Sequence, residues 1–125
     1  MRAHLSDPWF DAKFYGHISE DGNSITFLSS IEGAQGLWLW CPCGYGKPEY
    51  PLEGARPHGI QVPFANPRNA PQCPENHGPI ATDGTHPRWT VDGNDIDELT
   101  IKPSVLVQPS KPCWHGFITH GKIDL

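Results

Sequence analysis

The sequence predicts a small all-β domain, either a β-sandwich or a partly open barrel. Three observations support this fold class: many Gly and Pro residues, few long aliphatic side chains, and short apolar runs of strand length. Thirteen Gly and fourteen Pro among 125 residues exclude a helical bundle, because Pro inside a helix removes a backbone hydrogen bond and clashes with the preceding turn. No apolar run approaches the roughly 20 residues that span a bilayer as a helix.

Short apolar or alternating runs separated by turn residues predict the strands. These are residues 24–28, 37–41, 50–52, 59–64, 88–91, 99–101, 104–107, 113–118 and 122–125. The run from Leu37 to Trp40 is apolar on both faces, which predicts a central or covered strand. Residues 1–23 read as an irregular N-terminal segment, and residues 65–87 as a long Pro-rich loop insertion. We expect a single domain over residues 1–125.

The charge distribution limits the partners that the chain can have. Nine Lys and Arg stand against fourteen Asp and Glu, a formal net charge of −5. The basic residues are scattered, whereas nucleic-acid binding needs basic side chains clustered against phosphates. We therefore expect a protein partner, and neither nucleic acid nor membrane. The first residues lack the apolar core of a secretory signal, which predicts a cytoplasmic protein, located in the host cytoplasm if a phage encodes it.

Three cysteines and one histidine form two pairs of identical spacing, Cys41-x-Cys43 and Cys113-x-His115. In a cytoplasmic chain such cysteines indicate a metal site, and a disulfide from Cys41 or Cys43 to Cys113 is the alternative. A Pro between the first two cysteines and a Gly after them predict a tight knuckle that directs both sulfurs to one ion. Cys113 and His115 share one strand face by the two-residue period. The four side chains form a Cys₃His set, which is typical of structural zinc.

A metal at these positions compensates for the thin apolar core that the composition implies. Leu, Ile, Val and Phe together make up only about a fifth of the chain, close to the level at which chains fail to fold. The ion would join an early strand to the last hairpin, and a cross-link over so long a segment restricts the unfolded chain strongly. We expect zinc as a cofactor, and a contribution to folding from its binding.

The same residues carry a resemblance to a known family. Its motifs occur here as Cys41-Pro42-Cys43-Gly44, residues 100–105, Cys113-Trp114-His115-Gly116-Phe117-Ile118 and residues 121–123. Over residues 37–125 the chain resembles an uncharacterised family of small phage and bacterial proteins that are often mislabelled as ammonia monooxygenase. The resemblance implies a small β domain with zinc ligands Cys41, Cys43, Cys113 and His115, and it implies no established activity. The insertion at about residues 54–85 departs from the family pattern.

The loop insertion holds a further Cys and His whose spacing suits a metal. Cys73 and His77 are four positions apart, and His58 and His86 are near them in the sequence. One interpretation is a second metal site, or an alternative ligand for the first. The other is a loop with an incidental thiol and solvated imidazoles, and the sequence favours this second interpretation.

The complete ligand set and the lack of familiar catalytic motifs favour a binding role over an enzymatic one. The deaminase pattern, His-Glu-x-x-His and Gly-x-Ser-x-Gly do not occur, and no catalytic residue is predicted. We expect a phage or phage-like accessory protein that binds a host or phage partner. Two alternatives stay open. One is a zinc-dependent hydrolase or small-ligand-processing enzyme with an open metal position, for which Glu49 and Glu75 are candidate bases, and the other is a minor structural virion component.

Overall fold

A computed structural model confirms the all-β class and forms two open antiparallel sheets. It describes residues 1–19, 24–52, 54, 58–75, 77–81, 83–107 and 113–125. Within these residues the strands are β1 Arg2–His4, β2 Lys13–Ile18, β3 Ile25–Leu28, β4 Gly36–Trp40, β5 Gly59–Pro63, β6 Thr90–Asp92, β7 Thr100–Val107, β8 Trp114–Thr119 and β9 Lys122–Asp124. Two short 3₁₀ turns lie at Pro42–Gly44 and Ile96–Glu98. No helix in this part of the chain has the length and apolar character needed to cross a membrane.

The two sheets enclose one continuous cluster of buried side chains. Sheet A has the order β1-β9-β8-β7-β6, and sheet B has the order β3-β2-β4-β5. In β4, Leu37 and Leu39 are fully buried, whereas Trp38 and Trp40 are half-buried on the other face. The two Trp rings meet edge to face, with centroids 4.8 Å apart. These contacts confirm the prediction of a strand that is covered on both faces.

The N-terminal segment forms strands where the sequence predicts irregular structure. β2 places Phe14 and Tyr15 in the core and pairs with both β3 and β4. A bulge between Tyr15 and His17 interrupts its alternation, which explains why the pattern is weak. β1 pairs with β9 at the far end of the chain, so no local pattern reveals it. Residues 20–23 lie outside the described part, and residues 50–52, predicted as a strand, do not form one.

The hairpin of β7 and β8 contains an irregularity that matters for the site. The sequence predicts two strands interrupted at Pro103, whereas the structure has one strand with a bulge. Ile101 pairs with Ile118 and Val105 pairs with Gly116, so residues 102–104 together lie across from one residue of β8. Such bulges bend a strand and redirect its side chains, often beside functional sites.

The predicted long loop at residues 65–87 is fastened to the rest of the fold at several points. Arg68 forms an isolated bridge with Glu32, and its guanidinium donates to the Gly93 carbonyl and to the Asn94 side chain, each at 2.7 Å. Phe64, just before the loop, forms an isolated bridge with Trp89, just after it. These contacts attach the start of the loop to the fold and bring the residues on its two flanks together.

Candidate metal centre and serine–histidine pair

Four side chains with sulfur or imidazole donors converge where β4 ends and where β5 and β8 begin. The donor atoms of Cys41, Cys43, His58 and Cys113 all lie within 4.8 Å of one another. The sulfurs of Cys41 and Cys113 are 3.8 Å apart, and His58 Nε2 lies 3.6 Å from the Cys43 sulfur and 3.2 Å from the Cys113 sulfur. In a tetrahedral zinc site the bond lengths imply edges of about 3.8 Å between sulfurs and about 3.6 Å between sulfur and nitrogen. These three distances lie within about 0.4 Å of those edges, and the cluster can hold one metal ion.

Local backbone structure explains how these donors meet. Cys41 directly follows β4, and Cys43 lies in the 3₁₀ turn at Pro42–Gly44, with both sulfurs within 4.8 Å of each other, as a tight knuckle would place them. The backbone N–H of Cys41 donates to the carbonyl of His58 at 2.9 Å. That bond extends the antiparallel pairing of β4 with β5 by one residue pair and brings His58 beside Cys41. Cys113 directly precedes β8, so the cluster connects sheet B to sheet A.

The structure brings three of the four predicted ligands together and supplies His58 as the fourth. His115 is exposed on β8, where its Nε2 atom lies 2.8 Å from Ser104 Oγ. The physical reason is that Cys113 lies at a bend before β8 begins, so strand alternation does not relate its side chain to that of His115. From the sequence, His58 stands out only as a neighbour of the Cys73 and His77 pair, and it is not among the four predicted ligands. Its signal was its position just before a predicted strand that pairs with the strand leading to Cys41.

The cysteines of the structure are free thiols. The 3.8 Å between the sulfurs of Cys41 and Cys113 far exceeds the about 2.05 Å of a disulfide bond, so the alternative disulfide is not formed. Burial raises the pKa of the Cys41 thiol well above its ordinary value, and the adjacent sulfurs of Cys43 and Cys113 raise it further. Burial also raises the pKa of Cys43. Metal binding to cysteine thiols releases their protons, so the affinity of such a site depends on pH.

The second Cys and His pair of the sequence analysis does not form a comparable cluster within the described residues. Cys73 is buried with 4% of its surface exposed. Burial raises the pKa of its thiol, and the charge of Arg88 opposes that rise. The Nδ1 atom of His77 is buried without a hydrogen-bond partner. The structure thus assigns the metal-binding geometry to the first cluster.

Ser104 and His115 form a hydrogen-bonded pair on the outer face of sheet A. Ser104 belongs to the bulge of β7 and is half-buried, and His115 is exposed on the neighbouring strand. The carbonyl of Ser104 accepts a hydrogen bond from Trp89 Nε1 at 3.1 Å, and the buried Trp89 ring thereby anchors the bulge. When the imidazole carries its proton on Nδ1, its Nε2 atom accepts the serine hydroxyl proton. In that tautomer the two side chains can act as a nucleophile and its general base.

A comparison with known families gives a match over the C-terminal part of the chain. A family model described as bacterial ubiquitination-like system serine protease (BubE) matches residues 69–125. The matched part is slightly under half of the chain and includes Ser104, Cys113 and His115, whereas the other three metal-cluster residues precede it. Neither the curated proteins nor the solved structures give a significant match. The resemblance to small phage proteins stays a prediction.

Proposed function

We propose that this protein is a serine-type protease in which Ser104 is the nucleophile and His115 is the general base. The observation that carries the proposal is the 2.8 Å separation of Ser104 Oγ and His115 Nε2. The similarity of residues 69–125 to a serine-protease family supports the same chemistry. The proposal departs from the binding role that the sequence favours. Contiguous catalytic motifs do not reveal this pair, because Ser104 and His115 come together only through the pairing of β7 with β8.

The reaction follows from the roles of the two side chains. The Ser104 hydroxyl passes its proton to His115 Nε2 as Oγ bonds to the carbonyl carbon of a peptide bond. His115 then delivers this proton to the leaving nitrogen as the C–N bond breaks, and an ester to Ser104 remains. In the second half, His115 takes a proton from a water molecule that adds to the ester carbonyl. The ester C–O bond breaks, and the proton returns to Ser104 Oγ.

The position of the pair suits a polypeptide substrate. His115 is exposed on a sheet face, and the bulge raises Ser104 toward the same side. An extended chain can therefore approach the serine hydroxyl without a deep pocket, and its backbone can lie along the strands. The substrate would then be the protein partner that the sequence leads us to expect. Its origin in a phage or a host, the phage origin of this chain and its cytoplasmic location stay predictions.

Zinc is the proposed ion for the cluster of Cys41, Cys43, His58 and Cys113. Three sulfurs and one imidazole are donors that favour zinc over magnesium or calcium. Four protein donors complete a tetrahedral shell, so the set leaves no position for a catalytic water. The role supported by this set is a cross-link between the sheets, and the ion supplies folding free energy. This donor set therefore gives less support to the alternative of a zinc-dependent hydrolase.

A covalent labelling experiment tests the protease proposal. A fluorophosphonate probe should modify Ser104 in the folded protein, and peptide mass spectrometry should locate the adduct on this residue. Ser104→Ala should abolish labelling, because the nucleophile is absent. It should also lower the rate of peptide cleavage by at least about a thousandfold.

Ser29→Ala is the matched control. Ser29 is an exposed serine in the segment between β3 and β4, and it lies outside the proposed pair. This variant should label and cleave like the wild type. If the folded, zinc-loaded wild type gives no adduct on Ser104 and cleaves no member of a random peptide library, the protease proposal is wrong.

A further inference from the structure

We infer that Phe117 selects substrates that place an apolar side chain next to the scissile bond. The inference rests on the proposed protease function and names the substrate class of that site. Its basis is a juxtaposition on the outer face of sheet A. The exposed ring of Phe117 follows His115 along β8 and lies across from the bulge that carries Ser104.

The register places Phe117 at the reacting pair. Alternate residues of β8 are buried, and His115 and Phe117 are exposed between them, so both side chains project from the outer face. Ile101 pairs with Ile118 and Val105 pairs with Gly116. Phe117 is therefore the single residue of β8 that faces residues 102–104. A substrate carbonyl at Ser104 Oγ would lie between His115 and this ring.

The backbone of Phe117 is held in place by a hydrogen bond to the neighbouring strand β9. The N–H of Phe117 donates to Asp124 Oδ2 at 2.9 Å. The other oxygen of this carboxylate, Oδ1, accepts a hydrogen bond from Arg2 Nε, also at 2.9 Å. These bonds hold β8 against β9 and β1 at this position. The ring is thus presented on a rigid element, which limits the conformational freedom lost when a ligand binds.

A second exposed phenylalanine shows what distinguishes this position. Phe117 is 51% exposed and Phe27, on sheet B, is 42% exposed. The Phe27 ring already contacts Trp38 edge to face and lies 4.5 Å from the Lys13 ammonium. In the described part of the chain, Phe117 has no aromatic or cationic contact of this kind. Its apolar surface is available to a substrate.

The chemistry of the surroundings determines the preferred side chain. Leu106, half-buried on β7, pairs with His115, so an apolar residue also lies directly across from the histidine. A substrate side chain that is apolar removes the surface of Phe117 from water, which is favourable in proportion to the buried area. A charged side chain at the same place loses hydration without gaining a partner. Apolar residues beside the scissile bond are therefore preferred.

A peptide library with a fluorogenic reporter tests the inference. The two residues that flank the scissile bond are varied separately among Phe, Leu, Ala, Lys and Asp. For one of the two positions, wild-type kcat/KM should favour Phe and Leu over Lys and Asp by at least about tenfold, a discrimination typical of apolar contacts. Phe117→Ala should lose most of this preference through a rise in KM with little change in kcat, because the ring acts in binding.

The control is Phe27→Ala, which removes another exposed ring, on sheet B, and should keep the wild-type preference. Fluorophosphonate labelling of Ser104 should persist in Phe117→Ala, which shows that the reacting pair is intact. Cleavage without apolar preference, or a preference that survives in Phe117→Ala, overturns this inference and leaves the protease proposal standing. A wild type that shows neither labelling of Ser104 nor cleavage of any library peptide overturns both.

Discussion

Cys113 and His115 are two residues apart in the sequence, and they belong to sites with different physical demands. Cys113 joins a centre whose donors come from three distant segments of the chain. His115 pairs with Ser104 inside one hairpin, on an exposed sheet face. The first arrangement constrains the whole domain, because it closes long loops. The second needs only the local register of two strands, so the domain can lose it without unfolding.

The largest expected effect comes from breaking the metal centre. Cys113→Ser removes one donor from the segment that joins sheet A to the cluster. Metal binding to such sets contributes on the order of 10 kcal/mol to folding. We expect zinc content to fall from about one ion per chain to near zero. The unfolding temperature should fall by more than about 10 °C. Metal analysis and calorimetry measure the two quantities.

The fourth cysteine supplies the control for this prediction. Cys73→Ser makes the same change at a buried thiol outside the cluster, and it should leave the zinc content unchanged. Chelation of the wild type should reproduce the effect of Cys113→Ser. A wild-type protein that folds cooperatively without bound metal would show that the centre has no structural role.

Two histidine variants separate the regions directly. His58→Gln should lose zinc and lower the unfolding temperature by more than about 10 °C, as for other lost ligands. His115→Gln should keep zinc and nearly all stability, but reduce peptide cleavage by about a thousandfold or more. The measurements are metal content, calorimetry and fluorophosphonate labelling on both proteins. The reverse outcome, with zinc lost from His115→Gln alone, would favour the ligand set predicted from spacing.

The sequence predicts those parts of the site that depend on neighbouring residues. The knuckle at Cys41 and Cys43 follows from the adjacent Pro and Gly, and the covered strand before it follows from its apolar run. His58 becomes a ligand only through the pairing of β4 with β5, which the spacing of cysteines does not encode. The two-residue period applies only within a regular strand. Because Cys113 lies before β8 begins, the period does not place its side chain on the same face as that of His115.

The Ser104–His115 pair illustrates a second limit. Both residues stand in motifs visible in the sequence, and the strands around them are predicted. Their contact depends on the bulge at residues 102–104, which shifts the register between β7 and β8. A single sequence shows that Pro103 interrupts a run of strand residues, but not that the strand continues past it with its serine turned toward β8.

A moderate effect is expected from loosening the bulge. Trp89→Phe keeps an aromatic ring in the core and removes the hydrogen bond from Nε1 to the carbonyl of Ser104. The expected loss in the free energy of unfolding is about 1–2 kcal/mol. Cleavage should slow as well, because Ser104 is positioned less accurately relative to His115. Urea denaturation and kcat measure the two effects.

Trp114→Phe is the matched control for Trp89→Phe. Trp114 is also buried, and its Nε1 atom donates to the carbonyl of Asp124 at 2.8 Å. A similar loss of stability is expected, with a smaller effect on kcat since Ser104 keeps its hydrogen bond. Equal loss of kcat in both variants would mean that general stability, and not the bulge, governs the rate.

The smallest effect is expected from Tyr15, a core residue of sheet B. Its hydroxyl is buried without a hydrogen-bond partner, and the ring is fully covered. Tyr15→Phe removes an unsatisfied polar group and should stabilise the fold by about 1 kcal/mol at neutral pH. Zinc content and labelling of Ser104 should be unchanged. This result would show that the stability of the fold can vary independently of both sites.

The same variant has a distinct dependence on pH. Burial raises the pKa of Tyr15 above its ordinary value, with a further rise from nearby Cys73 and an opposing effect of Arg88. Because the folded-state pKa is raised, the unfolded chain releases this proton first. The associated stability is complete below the ordinary tyrosine pKa of about 10 and is lost as pH rises through the folded value. Urea denaturation from pH 7 to 11 should therefore show a steeper alkaline decline in the wild type than in Tyr15→Phe, and parallel curves would contradict a buried, protonated hydroxyl.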